Sequence, residues 1–353
     1  MSQNPCIVAV SGIKNTGKTR LIEALLPELA ERGLRTAVIK HDGHSFAPDR
    51  PGTDSFRFLT AGAVGTAVFD GEKYQLVRRA AIDISALLAQ FPEADLILLE
   101  GFKYTGFPKL ELLRGGVSET AVCRPSTRLA FVSDRTAPEP GFALFHPDNV
   151  SGIADFLFSF AGCGSRFSAI LLAGGKSARM GNSKAELPFD GMRMIDHQVQ
   201  RLRMLGIDDI VIAGYAGSVP GARSVPDERP HMGPVGGLKA GMDAAVHEKC
   251  LVLSVDAPLV PFGVLFELMH GHQRGISVIE HEGQLEPLIG VYDRSLKDVC
   301  AELLAGERAS VRRLFDRSVF QTLHCEADTL LLSNCNTPEE YRNMVDFWNS
   351  PSK

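Results

Sequence analysis

A chain of 353 residues is, as a prior, long enough for two ordinary domains, and 44% hydrophobic against 22% charged residues can fill two real cores. The net charge of −5 gives no reason to expect nucleic acid or an anionic membrane as a partner. Seven cysteines, Cys6, Cys123, Cys163, Cys250, Cys300, Cys325 and Cys335, lie scattered without a C-x-x-C pair, as reduced and mostly buried thiols would. No stretch reaches the ~18 apolar residues of a membrane span, and Cys6 to Val10 is too short for the apolar region of a signal peptide. A soluble, cytoplasmic protein is expected.

The run Cys6 to Val10 reads as a strand and leads into Ser11-Gly12-Ile13-Lys14-Asn15-Thr16-Gly17-Lys18-Thr19, with a helix over Thr19 to Glu31. This is the G-x-x-x-x-G-K-T phosphate loop in its required place between strand and helix. Gly12 and Gly17 let the backbone curl so that the loop's N–H groups, Asn15 and Thr16 among them, point at phosphate. Lys18 reaches the β- and γ-phosphates, and the Thr19 hydroxyl holds Mg²⁺. A second strand, Thr36 to Lys40, precedes His41-Asp42-Gly43-His44, where a polar loop beside the phosphate loop is preferred over a metal site. Helices are expected over Asp54 to Ala61 and Ile82 to Gln90, with strands at Val64 to Phe69 and Tyr74 to Val77. Asp95 to Glu100 is an apolar strand ending in an acid before Gly101, the Walker-B arrangement. Glu100 stands where Asp is usual, which leaves direct metal ligation open. Strands at Lys109 to Leu113, Leu129 to Ser133 and Phe142 to Phe145 and a closing helix, Val150 to Phe160, complete the first half.

Together, I-K-H-D-G-H, the tract Pro51-Gly52-Thr53-Asp54-Ser55 and L-L-E-G-F-K resemble the MobB family of molybdenum-cofactor GTP-binding adaptor proteins, over about residues 5 to 160. The resemblance implies GTP binding and weak hydrolysis in support of cofactor maturation or transfer. It also admits cofactor insertion proteins and molybdoenzyme apoproteins as partners, and a homo-oligomer formed through this half.

The small-residue patch Ala161 to Arg166 places a boundary between residues 1–163 and 164–353, too short for a wandering linker. Each half has its own phosphate loop and apolar strands, so each is expected to fold alone if cut near Gly164. Ser168 to Leu172 then reads as a buried strand and Met194 to Leu205 as a helix, joined by Leu171 to Lys184, LLAGGKSARMGNSK. Bare glycine backbone with Lys176, Arg179 and Lys184 on one loop suits a polyphosphate. Beyond it come a strand at Asp209 to Ala213, an acid at Asp227, a Gly-rich turn from Gly233 to Gly237 that opens a helix to Ala245, and Cys250 to Val255. That last strand ends in Asp256-Ala257-Pro258, placing a carboxylate where an α/β fold puts ligand chemistry.

The loop resembles the nucleotidyltransferase string L-A-G-G-x-S-x-R-M-G-x-x-K. With Asp227, Gly233-Pro234-Val235-Gly236-Gly237, Asp256-Ala257-Pro258 and Asn334-Cys335-Asn336-Thr337-Pro338, residues 167 to 348 resemble the MobA family of molybdenum cofactor guanylyltransferases. Val235 and Val255 depart from that pattern without removing a polar group. The resemblance implies transfer of GMP from GTP to the phosphate of molybdopterin or Mo-molybdopterin, with Mg²⁺ as cofactor. Lys184 and Arg179 would neutralise the triphosphate, Asp256 would hold the metal, and Gly174 and Gly175 would give backbone contacts. Leu172 and Ala173 would contact guanine, and Asp227 would lie near the nucleoside. Asn334 and Asn336 would line the nucleotide or pterin side, or else merely cap the helix after Thr337. His270, His272 and His281 read as surface residues, and Arg308, Arg312 and Arg313 as a basic helical run facing solvent or the acceptor phosphate.

An α/β chain is therefore expected, a P-loop NTPase-like domain followed by a Rossmann-like nucleotidyltransferase domain, both with mainly parallel sheets. A cytidylyltransferase or sugar-phosphate nucleotidyltransferase, and a non-catalytic GTP switch or cofactor carrier, are the alternatives.

Overall fold

The computed structural model describes residues 5–42, 46, 49–136, 139–174, 183–226, 233–306 and 309–350. Contacts divide the chain into two compact units, one of Met1–Ile39 with Ala94–Lys353 and the other of Lys40–Glu93.

The larger unit opens with β1 (Cys6–Ser11), α1 (Lys18–Glu31) and β2 (Thr36–Lys40). The smaller unit carries α2 (Asp54–Thr60), the strands β3 (Gly65–Phe69) and β4 (Tyr74–Arg78), and α3 (Ile84–Leu88). β3 and β4 form an antiparallel ribbon on which Val68, Phe69, Tyr74 and Leu76 are exposed.

The chain then adds β5 (Leu96–Glu100), β6 (Lys109–Leu113), β7 (Arg128–Ser133), β8 (Ala143–Phe145) and α4 (Val150–Cys163). The first sheet has the order β2-β5-β1-β6-β7-β8, with β1 parallel to both β5 and β6. Every residue of β5, β6 and β7 is buried, as near-continuous apolar strands covered on both faces must be.

The second half follows without a linker. α4 ends at Cys163, a single 3₁₀ turn covers Gly164–Arg166, and β9 (Phe167–Leu172) begins. Gly164 lies so close to the backbone of Leu205 that an added Cβ would sit 2.1 Å from its carbonyl oxygen. After β9 come the short pair β10 (Pro188–Phe189) and β11 (Met192–Arg193), then α5 (Met194–Met204), β12 (Asp209–Ala213), β13 (Arg223–Val225) and α6 (Gly233–Ala244). β14 (Lys249–Ser254), α7 (Phe262–Gly271), β15 (Ile276–His281), β16 (Gln284–Asp293), α8 (Lys297–Ala305), α9 (Val311–Phe315), β17 (Phe320–His324), α10 (Thr329–Leu332) and α11 (Pro338–Asn349) complete it. The second sheet runs β13-β12-β9-β14-β16-β15-β17, parallel except that β16 is antiparallel to both neighbours.

The two halves share one continuous apolar core. Phe156 and Phe160 on α4 pack edge-on against Phe266 on α7, with ring centroids 5.1 and 5.4 Å apart. Gly263 brings α7 so near β7 that a Cβ there would meet Leu129 O at 2.5 Å. Arg124 donates to Trp348 O at 2.8 Å and lies over its ring. A cut at Gly164 would lay these faces open to water.

Two of the expected surface histidines are interior. His272 is held between Ser277 Oγ (2.6 Å) and Asp293 Oδ1 (3.0 Å), and His281 between Cys325 O (2.9 Å) and Thr329 Oγ1 (3.0 Å). Both ring nitrogens of each are satisfied, which is what lets a polar ring be buried there. His270 is exposed and stacks on Phe266. Arg312 and Arg313 are exposed on α9, and Arg308 lies outside the described residues. The described thiols are all free, and only Cys6 is not fully buried. Among the described residues no helix is long and apolar enough to cross a membrane.

Candidate functional site

The first phosphate loop is shaped by backbone that ordinary side chains avoid. Gly12 has φ 145°, Asn15 68° and Gly17 95°, so the chain curls between β1 and α1. At Gly12 a Cβ would also strike Leu112 O at 2.7 Å. Lys18 Nζ donates across the curl to Ile13 O (2.6 Å) and Gly12 O (3.2 Å), and Thr16 Oγ1 donates to Ile13 O at 3.1 Å. Thr19 Oγ1 donates to Glu100 Oε1 at 2.9 Å, which joins the loop hydroxyl to the acid at the end of β5. A hydroxyl beside a buried carboxylate is an oxygen pair of the kind Mg²⁺ takes alongside phosphate. A cavity of ≈ 370 Å³ adjoins the loop, walled by Thr16, Gly17, Arg20, Arg114, Asp134 and His146. Arg20 follows the loop directly on α1; Arg114 and Asp134 carry no motif of their own in the sequence, and the parallel order β1-β6-β7 brings them to the loop.

The second site is drawn from three distant segments. Lys184, just after the Gly-rich loop, donates to Asp256 Oδ2 at 2.5 Å and to Asn336 Oδ1 at 2.8 Å. Asp256 follows β14, the strand beside β9, and its Oδ1 accepts from Ser254 Oγ. Its backbone is pinned from two sides, since Val255 N donates to Leu172 O (2.9 Å) and Cys335 N to Asp256 O (3.0 Å). Burial pushes the Cys335 thiol up to about 11, so beside this carboxylate it stays a neutral filler rather than a nucleophile.

Asn336 combines the two readings it admits. The cap of α11 is Thr337, whose Oγ1 accepts from Glu340 N at 3.2 Å, while Glu340 Oε2 accepts from Thr337 N (3.0 Å) and Asn336 N (2.6 Å). The cap therefore fixes the Asn336 backbone and leaves its side chain for Lys184. Among the described residues, the buried Asn334 Oδ1 finds no hydrogen-bond partner.

The strand end at Leu172 is less open than expected for backbone recognition. Ala173 N and Gly174 N both donate to Ala213 O, at 2.9 and 3.2 Å, and Leu172 O is taken by Val255 N. The N–H groups of Ala173 and Gly174 are therefore not open donors at this end. Gly175, Lys176 and Arg179 of that loop, and Asp227, lie outside the described residues, as does His44 of the first half. The residues that sequence reasoning missed here are Ser254, Gln198 and Arg201, the last two on the buried face of α5.

Chemically, the cluster offers one primary ammonium, one mostly buried carboxylate and one amide oxygen. A hydroxyl orients the carboxylate. Lys184 here occupies oxygens that suit a hard divalent cation, and one carboxylate with substrate phosphates is the usual Mg²⁺ donor set.

Two family profiles match the chain. MobB, Molybdopterin guanine dinucleotide synthesis protein B, covers residues 7–134, and the MobA-like NTP transferase domain covers 169–323. The molybdenum cofactor guanylyltransferase of Xanthomonas euvesicatoria pv. vesicatoria (strain 85-10) is 32% identical over 186 residues, 51% of this chain and 94% of that protein. The molybdopterin-guanine dinucleotide biosynthesis adapter protein of Escherichia coli (strain K12) is 32% identical over 161 residues, 43% of this chain and 90% of that protein. The crystal structure of Bacillus subtilis MobB superposes with a TM-score of 0.37 at 33% identity, covering 43% of this chain and 96% of that one.

Proposed function

The chain belongs to the MobB adapters through its first half and to the MobA-like molybdenum cofactor guanylyltransferases through its second, and on that premise we propose how its residues divide the work. The second half transfers GMP from GTP to the phosphate of molybdopterin, giving molybdopterin guanine dinucleotide. An oxygen of the acceptor phosphate attacks the α-phosphorus of GTP, the bond from that phosphorus to the bridging oxygen breaks, and pyrophosphate leaves with the electron pair. Charge builds on the phosphoryl oxygens and the leaving group, so preorganised cations carry most of the acceleration.

The Lys184–Asp256–Asn336 cluster is the observation that carries this assignment. Lys184 exchanges its carboxylate for the triphosphate when GTP binds, and Arg179 adds a second positive charge for it. Asp256, freed of the ammonium and oriented by Ser254, would hold the metal through its carboxylate. Mg²⁺ bound there would neutralise phosphate charge as a Lewis acid. Asn334, with a buried oxygen to satisfy, and Asn336 line the substrate side. Gly175 and Asp227 serve the nucleotide, and Leu172, Ala173 and Gly174 do so through groups other than those already paired.

Residues 1–163 form the adapter half and 164–353 the transferase half. In the first, Gly12, Asn15, Thr16, Gly17 and Lys18 bind a second GTP. Thr19, with Glu100 beside it, would hold its Mg²⁺ and support weak hydrolysis. The exposed apolar ribbon β3–β4 suits self-association or a recipient apoprotein, because a two-stranded ribbon seldom leaves such side chains in water. The work is cytoplasmic.

The assignment is tested by incubating the protein with molybdopterin, Mg²⁺ and either GTP or CTP while following pyrophosphate and dinucleotide. Turnover with GTP is expected. Preference for CTP, or nucleotide binding without pyrophosphate release, would contradict it.

A further inference from the structure

The segment that carries Asp256 is held from beneath by one face of α5. Gln198 Nε2 donates to Ser254 O and Ala257 O, each at 3.1 Å. Three residues on, on the same side of the helix, Arg201 donates to Pro258 O and Val260 O. Its Nη2 also reaches Ser126 O, at 3.2 Å, and Ser126 belongs to the adapter half. The anchor is firm on that side, because Glu111 accepts from Val122 N and Cys123 N and pairs with the buried Arg128 at 2.7 Å.

Arg201 is an odd residue to find there. It is 5% exposed, no carboxylate among the described residues pairs with it, and its Nε has no partner. Phe262 stacks under the guanidinium at 4.6 Å. Burial pulls the group down to about 9, which still leaves it charged at neutral pH. An isolated buried cation costs stability, and a methionine would fill the space more cheaply if filling were all that was needed. What the guanidinium supplies is direction: it gathers two carbonyls of the Asp256 segment and one of the adapter half onto a single planar fork.

We infer that Arg201 is the positioning residue of the guanylyl-transfer site, setting Asp256 by holding residues 258–260 and latching them to Ser126 of the adapter half. The inference rests on the reading of Asp256 given above. It makes the adapter half part of the support beneath the Asp256 segment, beyond any role as a tethered neighbour.

The test uses the full chain, with Arg201→Met and Arg201→Lys compared with wild type. Trp348, the only tryptophan, reports on the junction through its contact with Arg124. Arg201→Met should lower kcat roughly ten- to a hundredfold. In calorimetry, the gain in GTP affinity on adding Mg²⁺ should shrink, and Trp348 emission should shift. Arg201→Lys, which keeps the charge and one donor arm, should recover part of each. A packing role alone would lower the melting temperature and leave kcat per folded molecule and the Mg²⁺ gain untouched, and that result overturns the inference. Should Arg201→Met fail to fold, Arg201→Lys carries the test, since one ammonium cannot span both segments as the fork does; a wild-type kcat and Mg²⁺ gain in a folded Arg201→Lys would likewise overturn it. Asp256→Asn separates the layers. Full turnover there removes the site reading and this inference with it, whereas loss there with a wild-type Arg201→Met removes this inference alone.

Discussion

The two phosphate sites of this chain are built in opposite ways. In the adapter half the contacts that curl the loop span three to six residues, Thr16 to Ile13 and Lys18 to Gly12, with Thr19–Glu100 tying it to the end of β5. In the transferase half the contacts join residues 72 and 152 positions apart, Lys184 with Asp256 and with Asn336. A local loop is shaped by its own backbone and tolerates changes elsewhere. A site assembled from distant segments inherits every disturbance of the packing that brings them together.

The largest effect that sharpens this contrast falls on the assembled site. Asp256→Asn keeps the shape and removes the charge, so most transferase activity should vanish from a protein with wild-type circular dichroism; full turnover would break the assignment. Next comes Lys184→Ala, expected to cost roughly 2–4 kcal/mol of transition-state stabilisation, as loss of one preorganised charge does. Lys176→Ala should cost less, and equal losses in kcat/KM would place the triphosphate grip elsewhere.

A smaller effect concerns the packing beneath the assembled site. Burial, helped by the charges of Arg201 and Arg124, pushes His197 down to about 3, and it packs edge-on to Phe189 and Trp348. Asp190 lies 4.0 Å away, too far to hydrogen-bond the ring, and spends its Oδ1 on Trp348. The folded pKa lies below the unfolded one, so the unfolded chain binds the extra proton between about pH 6.5 and 3. Stability from this group is complete above that window and falls with pH inside it, by at most ~1.4 kcal/mol per pH unit. Denaturant titrations of wild type and His197→Phe should diverge as the pH drops below about 6.5. Parallel curves would mean the ring is already protonated or solvated.

The smallest expected effect is at the cap. Thr337→Ala should cost about 1 kcal/mol of stability, the usual worth of such a cap. It should also weaken transfer slightly, since the same capping box holds the Asn336 backbone. A stability loss with no kinetic change would show that Asn336 does not depend on its cap.

What could be read from the sequence follows the same division. The first phosphate loop lies whole within eight residues, and the largely apolar strands around it have one plausible layer. Asp256 and Lys184 were also legible, each at the end of a recognisable strand or loop. Asn336 was ambiguous because cap and ligand differ only in which neighbour takes the role, and Thr337 takes the cap. Gln198 and Arg201 look like the polar side of an ordinary amphipathic helix, and nothing local tells that carbonyls of another segment bury them. His272 and His281 are hidden for the same reason, since their partners Asp293 and Thr329 lie well downstream. The antiparallel β16 and the shared core between the halves were not legible, because both depend on how apolar faces choose one another.

One comparison tests the account most directly: wild type, Lys184→Ala and Lys18→Ala, each given molybdopterin, GTP and Mg²⁺ while dinucleotide and pyrophosphate are followed. Lys184→Ala should lose the transfer, while Lys18→Ala should lose nucleotide binding at the adapter loop and keep transfer within a fewfold of wild type. Transfer that survives in Lys184→Ala and fails in a folded Lys18→Ala would put the chemistry at the wrong loop and contradict the account.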